Sequence, residues 1–259
     1  WPYRTRHSGT IWKSWAVLHE STNILEEPEP WNFRRKGKLV IVAIDGPAGA
    51  GKSTISRLVA DRHGWTYLDT GAMYRAVTLL ALEQGIAPGD ADELGLLSRN
   101  LEIGFQPGPG GVPRVFAGCR EVTGEIRSLE VTRNVSEVSA QAPVRDAMLR
   151  KQRDCAAGGN VVVDGRDIGT VVFPEAEVKI FLTASVAERA QRRRLELEGK
   201  GVEVAQDRME REITARDDYD SSRKVAPLKA ADDAVLLDTT DLNIEQVVDR
   251  VAEIVEEKI

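Results

Sequence analysis

The chain has 259 residues, 42% hydrophobic and 29% charged, enough apolar material for one large or two small packed domains. No stretch approaches a transmembrane run, and a formal net charge of −6 argues against a general nucleic-acid surface, so any anion must be met by locally clustered arginines. Only two cysteines occur, Cys119 and Cys155, far apart and without metal-ligand spacing, which fits a reducing, cytoplasmic compartment better than a disulfide framework.

Residues 1–37, rich in Trp and His, carry no clear period or helix cap and read as a disordered N-terminal extension, leaving 38–259 as the domain. The basic WNFRRKGK at 31–38 lacks the cleavage site of a secretory signal. The chain begins with Trp and its first methionine is Met73, so a start near Leu39 or Val40 is expected. From Leu39 to Thr54 the sequence reads LVIVAIDGPAGAGKST, an apolar β-branched run, a glycine-rich turn and the opening of a helix. Gly46, Gly51, Lys52 and Ser53 satisfy the G-x-x-x-x-G-K-[ST] pattern of a phosphate-binding loop. Glycines at 46, 49 and 51 let backbone N–H groups converge without a Cβ clash, and a helix starting near Gly51 aims its positive dipole end at the same point. The loop Gly46, Pro47, Ala48, Gly49, Ala50, Gly51, Lys52, Ser53 and Thr54 is therefore expected to hold a nucleotide. Lys52 then sits on the β and γ phosphates and Ser53 on the bridging Mg²⁺.

The following helix runs to His63, read as its C-terminal cap, and a short strand in WTYLDTG at 65–71 delivers Asp69 and Thr70 before a helix over Ala72–Leu82. Ligands of open α/β sheets bind at the carboxyl ends of strands, so Thr70, Tyr74 and Arg75 are candidates for a second ligand. From Leu101 the period alternates through LEIGF, PRVFAG and CREVTGEIR around PGPGG, which predicts a small antiparallel insert over about 101–127. Amphipathic helices over about 128–156 carry Ser136, Arg145, Arg150 and Arg153. A buried strand at Val161–Val163 then ends in Asp164, Arg166 and Asp167, and another lies within 177–185. Arg189, Arg192, Arg193 and Arg194 crowd the next helix and suggest a lid over about 189–224, although a charge run can equally be a solvated face. Arg216, Asp220 and Arg223 share one helix face, as ligands or as salt-bridged pairs. A last strand and helix close an alternation that predicts an α/β fold with a parallel sheet.

GPAGAGKS, DTGAMYR, TGEIRS, VRDAMLRKQR, DGRDIGTVVFP, KIFLTAS and RDDYDSSRKVAPL follow the order found in bacterial cytidylate kinases, which the chain resembles over about residues 39–257. The resemblance implies a three-layer P-loop NTPase-type fold with a central parallel sheet, a monophosphate-binding region over about 70–156 enlarged by the antiparallel insert, and a short lid. It implies ATP, with Mg²⁺, in the glycine loop and against Arg192, and CMP or dCMP as acceptor. Thr70, Tyr74, Arg75, Arg166 and Arg216 would surround the acceptor phosphate, with Asp164 beside them. Ser136, Arg145, Arg223 and Asp167 would meet the cytosine, and Asp220 the ribose. Lys52, Arg166 and Arg216 would be catalytic. Many relatives carry Thr after the loop lysine, where this chain has Ser53-Thr54, so either hydroxyl suits Mg²⁺. A monomer without nucleic-acid or membrane partners is expected. The alternatives are another small-molecule P-loop kinase (UMP/CMP-type, shikimate or dephospho-coenzyme A) and a GTP-binding switch, which would need an Asn-Lys-x-Asp string that does not occur here.

Overall fold

A computed structural model describes residues 39–259 apart from Lys200. The reading of residues 1–37 as an extension lies outside the described residues. Strand β1 (Ile41–Asp45) is β-branched and almost wholly buried, as a central parallel strand must be. It lies between β6 (Val161–Asp164) and β7 (Val178–Thr183), with Ile41 opposite Val161 and Val42 opposite Val178. Outside these stand β2 (Thr66–Asp69) and β8 (Val235–Asp238), giving five parallel strands in the order β2-β6-β1-β7-β8.

Helix α1 (Lys52–His63) and the C-terminal helix α8 (Ile244–Lys258) cover one face, burying Ile55, Val59, Val251 and Val255 against Val42, Ile44, Ile180 and Leu182. The other face buries Ala43, Leu68, Val161 and Val163 against Ile168, Val172 and Ala156. Helix α1 closes on Gly64, whose left-handed backbone (φ 65°) points its N–H at the carbonyls of Ala60 and Asp61. The cap is thus Gly64 and not His63, whose ring stacks on Trp65 at 4.7 Å between centroids.

A second core forms from α2 (Thr70–Glu83), α3 (Ala91–Asn100), α4 (Leu129–Ala140) and α5 (Ala142–Ala156), around Met73, Val77, Leu94, Val138 and Met148. An antiparallel sheet packs against it, of β3 (Ile103–Gln106), β4 (Arg114–Ala117) and β5 (Arg120–Glu121). Its third strand is shorter than the alternation in CREVTGEIR predicts. Val122 and Ile126 are both fully buried at a separation of four, so the chain turns into a 3₁₀ helix at Glu125–Arg127 to put both on one side. Last, α6 (Val186–Glu198) and α7 (Gln206–Ser222) pair through Ala190, Leu197, Met209 and Ile213.

Candidate active site

The glycine loop runs between the tip of β1 and the start of α1. Gly46 has φ 147°, and a Cβ there would stand 2.0 Å from the Leu182 carbonyl oxygen, so no other residue fits beneath the loop. Gly49 and Gly51 follow at φ 77° and 85°. Lys52 is buried, and its Nζ donates to the Pro47 carbonyl at 2.7 Å, which folds the lysine over the loop. The loop is also held from outside. Arg189 of α6 donates to the Ala48 carbonyl at 3.0 Å and is ion-paired with Asp217 of α7, whose carboxylate accepts the Ala48 N–H at 3.3 Å.

The carboxyl ends of β2 and β6 face this loop. Asp164 lies 4% exposed, and its carboxylate accepts the Ser53 hydroxyl at 2.8 Å and the Tyr67 hydroxyl at 3.0 Å. Its backbone carbonyl accepts the Thr70 hydroxyl at 2.7 Å. Beyond it, Asp167 is ion-paired with Arg145, both buried, and the Arg145 guanidinium lies 5.3 Å over the Tyr74 ring. Helix α7 contributes Arg216, Asp220 and Arg223 from one face, as their spacing predicts. Arg166 Nε donates to Asp220 at 3.0 Å, and Arg223 stands 3.9 Å from the same carboxylate. Two buried nitrogens, Arg216 Nε and Arg223 Nη2, have no hydrogen-bond partner among the described residues. A buried donor left unpaired costs about 1–3 kcal/mol, so this arrangement is suited to receiving an acceptor group.

These residues line a cleft of about 1490 Å³ that extends from the glycine loop to Tyr74, Ser136 and Arg145. Of the glycine-loop residues, only Gly46 and Pro47 are not on its wall; Gly46 packs behind the loop, and Pro47 supplies the carbonyl under Lys52. The lid arginines divide. Arg192 and Arg193 line the cleft, whereas Arg189 is buried against the loop and Arg194 pairs with Glu198 along its own helix. Arg150 and Arg153 lie off its wall; Arg153 donates to the carbonyls of Val171 and Val172.

The electrostatics are those of a crowded cationic cavity. Burial, then Arg166, hold Arg216 down at about 9. Burial lowers Arg75 to about 10, with Arg127, Arg193 and Arg166 adding to it. Burial, then Arg166, press Lys52 well below the ordinary lysine range. Each shift reflects positive charge taken out of water beside like charge, a penalty that a bound polyanion relieves. Asp164 is pushed the other way, up to about 7, by burial and by Asp69, with the Lys52 charge opposing them. Among the described residues no three acidic, His or Cys side chains converge to cage a metal. The Ser53 hydroxyl and Asp164 carboxylate are instead an all-oxygen pair, the partial set Mg²⁺ takes when phosphates and water complete its shell.

Parts of the wall are fixed by contacts between elements. Asp69 caps α2 by accepting the Ala72 N–H at 2.9 Å, and Arg75 donates to Ile126 O at 3.2 Å and Thr132 Oγ1 at 2.9 Å. At the far end, Thr239, Leu242, Asn243 and Ile244 line the same cleft from the β8–α8 connection, where Arg192 reaches Thr239 O at 2.7 Å. These positions have no motif of their own and become visible only once the sheet order sets β8 beside β7.

A protein-family model described as cytidylate kinase matches residues 42–257. A cytidylate kinase of Exiguobacterium sibiricum is 55% identical over 219 residues, covering 85% of this chain and 98% of its own. One from Geobacter sulfurreducens is 52% identical over 85% of this chain and 94% of its own, and one from Leuconostoc mesenteroides is 51% identical over 84% and 97%.

Proposed function

The chain belongs to the cytidylate kinase family, and on that premise we propose that it transfers the γ-phosphoryl group of ATP to CMP or dCMP, giving CDP or dCDP. The observation that carries this reading is the single cleft joining the glycine loop to the arginine-rich tips of β2 and β6 and to the buried Arg145–Asp167 pair. The transfer is read as a direct in-line step. A monophosphate with a second pKa near ~6 is already largely a dianion at neutral pH, so no general base is needed. The protein's part is position and positive charge. Lys52 lies over the loop to meet the donor's phosphates, and Arg75, Arg166 and Arg216 converge from three elements on the acceptor phosphate. Ser53 and Asp164 are the residues suited to hold Mg²⁺, which when bound neutralises charge on the donor phosphates. Arg192 and Thr239 flank the donor side.

Base choice is assigned to Asp167 and Arg145. Cytosine offers an amino donor at N4 and acceptors at N3 and O2, which complement a carboxylate beside a guanidinium; uracil sets a carbonyl where the amino group would be. Arg223 and Ser136 complete this end, and Asp220 lies toward the ribose. The reading extends to a monomeric cytoplasmic enzyme, in which Cys119 and Cys155 are free, exposed thiols. Among the described residues no helix is long and apolar enough to cross a membrane. ADP release measured across CMP, dCMP, UMP, shikimate and dephospho-coenzyme A tests the assignment. Turnover with CMP and dCMP well above the others is expected, and equal or better turnover with another acceptor would overturn it.

A further inference from the structure

The turn at Ile168–Val172 follows directly on Asp167. Its first N–H groups, on Ile168 and Gly169, point back out of the turn and find no acceptor within it. An aspartate one residue before such a turn normally turns its own carboxylate onto them. Here Asp167 does not; its side chain makes no capping bond, and only its backbone carbonyl takes part, accepting the N–H groups of Val171 at 2.9 Å and Val172 at 3.1 Å. The two donors go instead to Asp45, more than 120 residues earlier in the chain. Ile168 N–H donates to one of its carboxylate oxygens at 2.8 Å and Gly169 N–H to the other at 2.7 Å. Asp45 is 4% exposed, so its carboxylate is largely shielded from water.

We propose that Asp45 caps the 168–172 turn in place of Asp167, and that this substitution is what leaves the Asp167 carboxylate turned to Arg145 and to the base of the acceptor. Asp45 is thus a positioning residue for base selection that acts through Asp167; the inference rests on the assignment of Asp167 as base reader. Without the Asp45 carboxylate, two buried N–H groups lose their partner. The Asp167 carboxylate, on the residue directly before them, is then drawn into the ordinary capping position, and Arg145 loses its ion pair. The placement also joins the two ends of the site. Asp45 immediately precedes Gly46, so one strand tip supports both the donor loop and the turn that presents Asp167. Gly169 belongs to the same device, since a Cβ there would lie 3.4 Å from the Asp45 carboxylate and 3.2 Å from the Lys179 stem.

The test measures kcat/KM for CMP and for UMP, and KM for ATP, on the full chain and on Asp45→Asn, Gly169→Ala, Asp167→Asn and the double variant Asp45→Asn/Asp167→Asn. Asn keeps the size of Asp45 but sets an amide N–H₂ against one of the two backbone donors. The CMP over UMP ratio is expected to fall about fivefold or more in Asp45→Asn, mainly through KM for CMP, with KM for ATP moving far less, and the double variant should match Asp167→Asn alone. Gly169→Ala, which keeps the carboxylate but sets a Cβ 3.2 Å from the Lys179 stem so that the packing around the Gly169 N–H must shift, should lower the ratio in the same direction, and it decides the matter if Asp45→Asn does not fold. A ratio unchanged in Asp45→Asn and Gly169→Ala but reduced in Asp167→Asn overturns the capping role alone. A ratio unchanged in Asp167→Asn overturns the base-reading assignment, and the inference with it.

Discussion

Lys52 is costly to the empty protein and, in the proposed reaction, is the side chain that meets the donor's phosphates. It sits buried beside the half-buried cations Arg166 and Arg216, and its Nζ has one neutral carbonyl at 2.7 Å to satisfy it. Lys52→Ala should leave a folded protein by circular dichroism but lower kcat by ~10²-fold or more, because the charge it places on the transferring group counts most in the transition state. Near-normal kcat would remove it from the catalytic set. Asp167 belongs to the same scale. Asp167→Asn is expected to shrink the CMP over UMP ratio of kcat/KM by ~5- to 150-fold, since one buried polar group left unpaired costs ~1–3 kcal/mol, and most of the change should be lost CMP activity. Arg145→Ala should weaken CMP but move the ratio less, because UMP still offers its O2. Asp45 adds a pH signature. Burial lifts its carboxyl from 3.8 to about 6, against the two backbone bonds that lower it. A carboxyl with its folded pKa raised binds its proton more tightly in the native state, so its contribution to stability is present at low pH and is lost as pH rises from about 4 through 6. The stability of the wild type relative to Asp45→Asn, measured by urea unfolding, should therefore grow as pH falls from 7 to 4, by up to about 3 kcal/mol. A flat difference would contradict this.

Among the elements, α7 ties the two ligand ends together. Arg216, Asp220 and Arg223 on one face look to the acceptor end, while Asp217, one position on from Arg216, takes the Ala48 N–H of the glycine loop and pairs with Arg189. Asp217→Ala should leave the buried Arg189 guanidinium without its carboxylate, costing about 2 kcal/mol in denaturant unfolding, and should raise KM for ATP as the loop loosens. A variant with unchanged stability and unchanged KM would show that the loop is held by Arg189 alone. This contact was not legible in the sequence, where Arg189 looks like one more member of an arginine run. The glycine loop was legible because every residue of it is consecutive. The five parallel strands were legible too, because each is a short apolar run bounded by Gly, Asp or Thr. What escaped is what distant segments make together: Thr239 and Leu242 join the cleft wall only through the β7–β8 pairing. The third strand of the insert escaped because Val122 and Ile126 suit alternation and helical spacing equally, and the core beneath them selects the second.

At the scale of the whole molecule, the question is how much of the chain the enzyme needs, and the start of β1 bears on it. Val40 N–H donates to the Asn160 side chain at 3.0 Å, Ile41 N–H donates to Glu177 at 2.9 Å, and the Val40 carbonyl accepts from Val161 at 3.0 Å. The first strand is therefore tied on both sides by residues of the sheet itself. The family match likewise begins at residue 42. We propose that residues 38–259 hold the complete kinase. Removing residues 1–37 should then leave kcat and both KM values within about twofold of the full chain and the melting temperature within about 2 °C, since a loss of 1 kcal/mol would already shift a domain of this size by about 2–4 °C. The two forms would be compared by differential scanning calorimetry and by ADP release with CMP. A drop of several degrees, or a tenfold loss of activity, would show that the first 37 residues pack against the kinase and that its boundary lies upstream of Lys38.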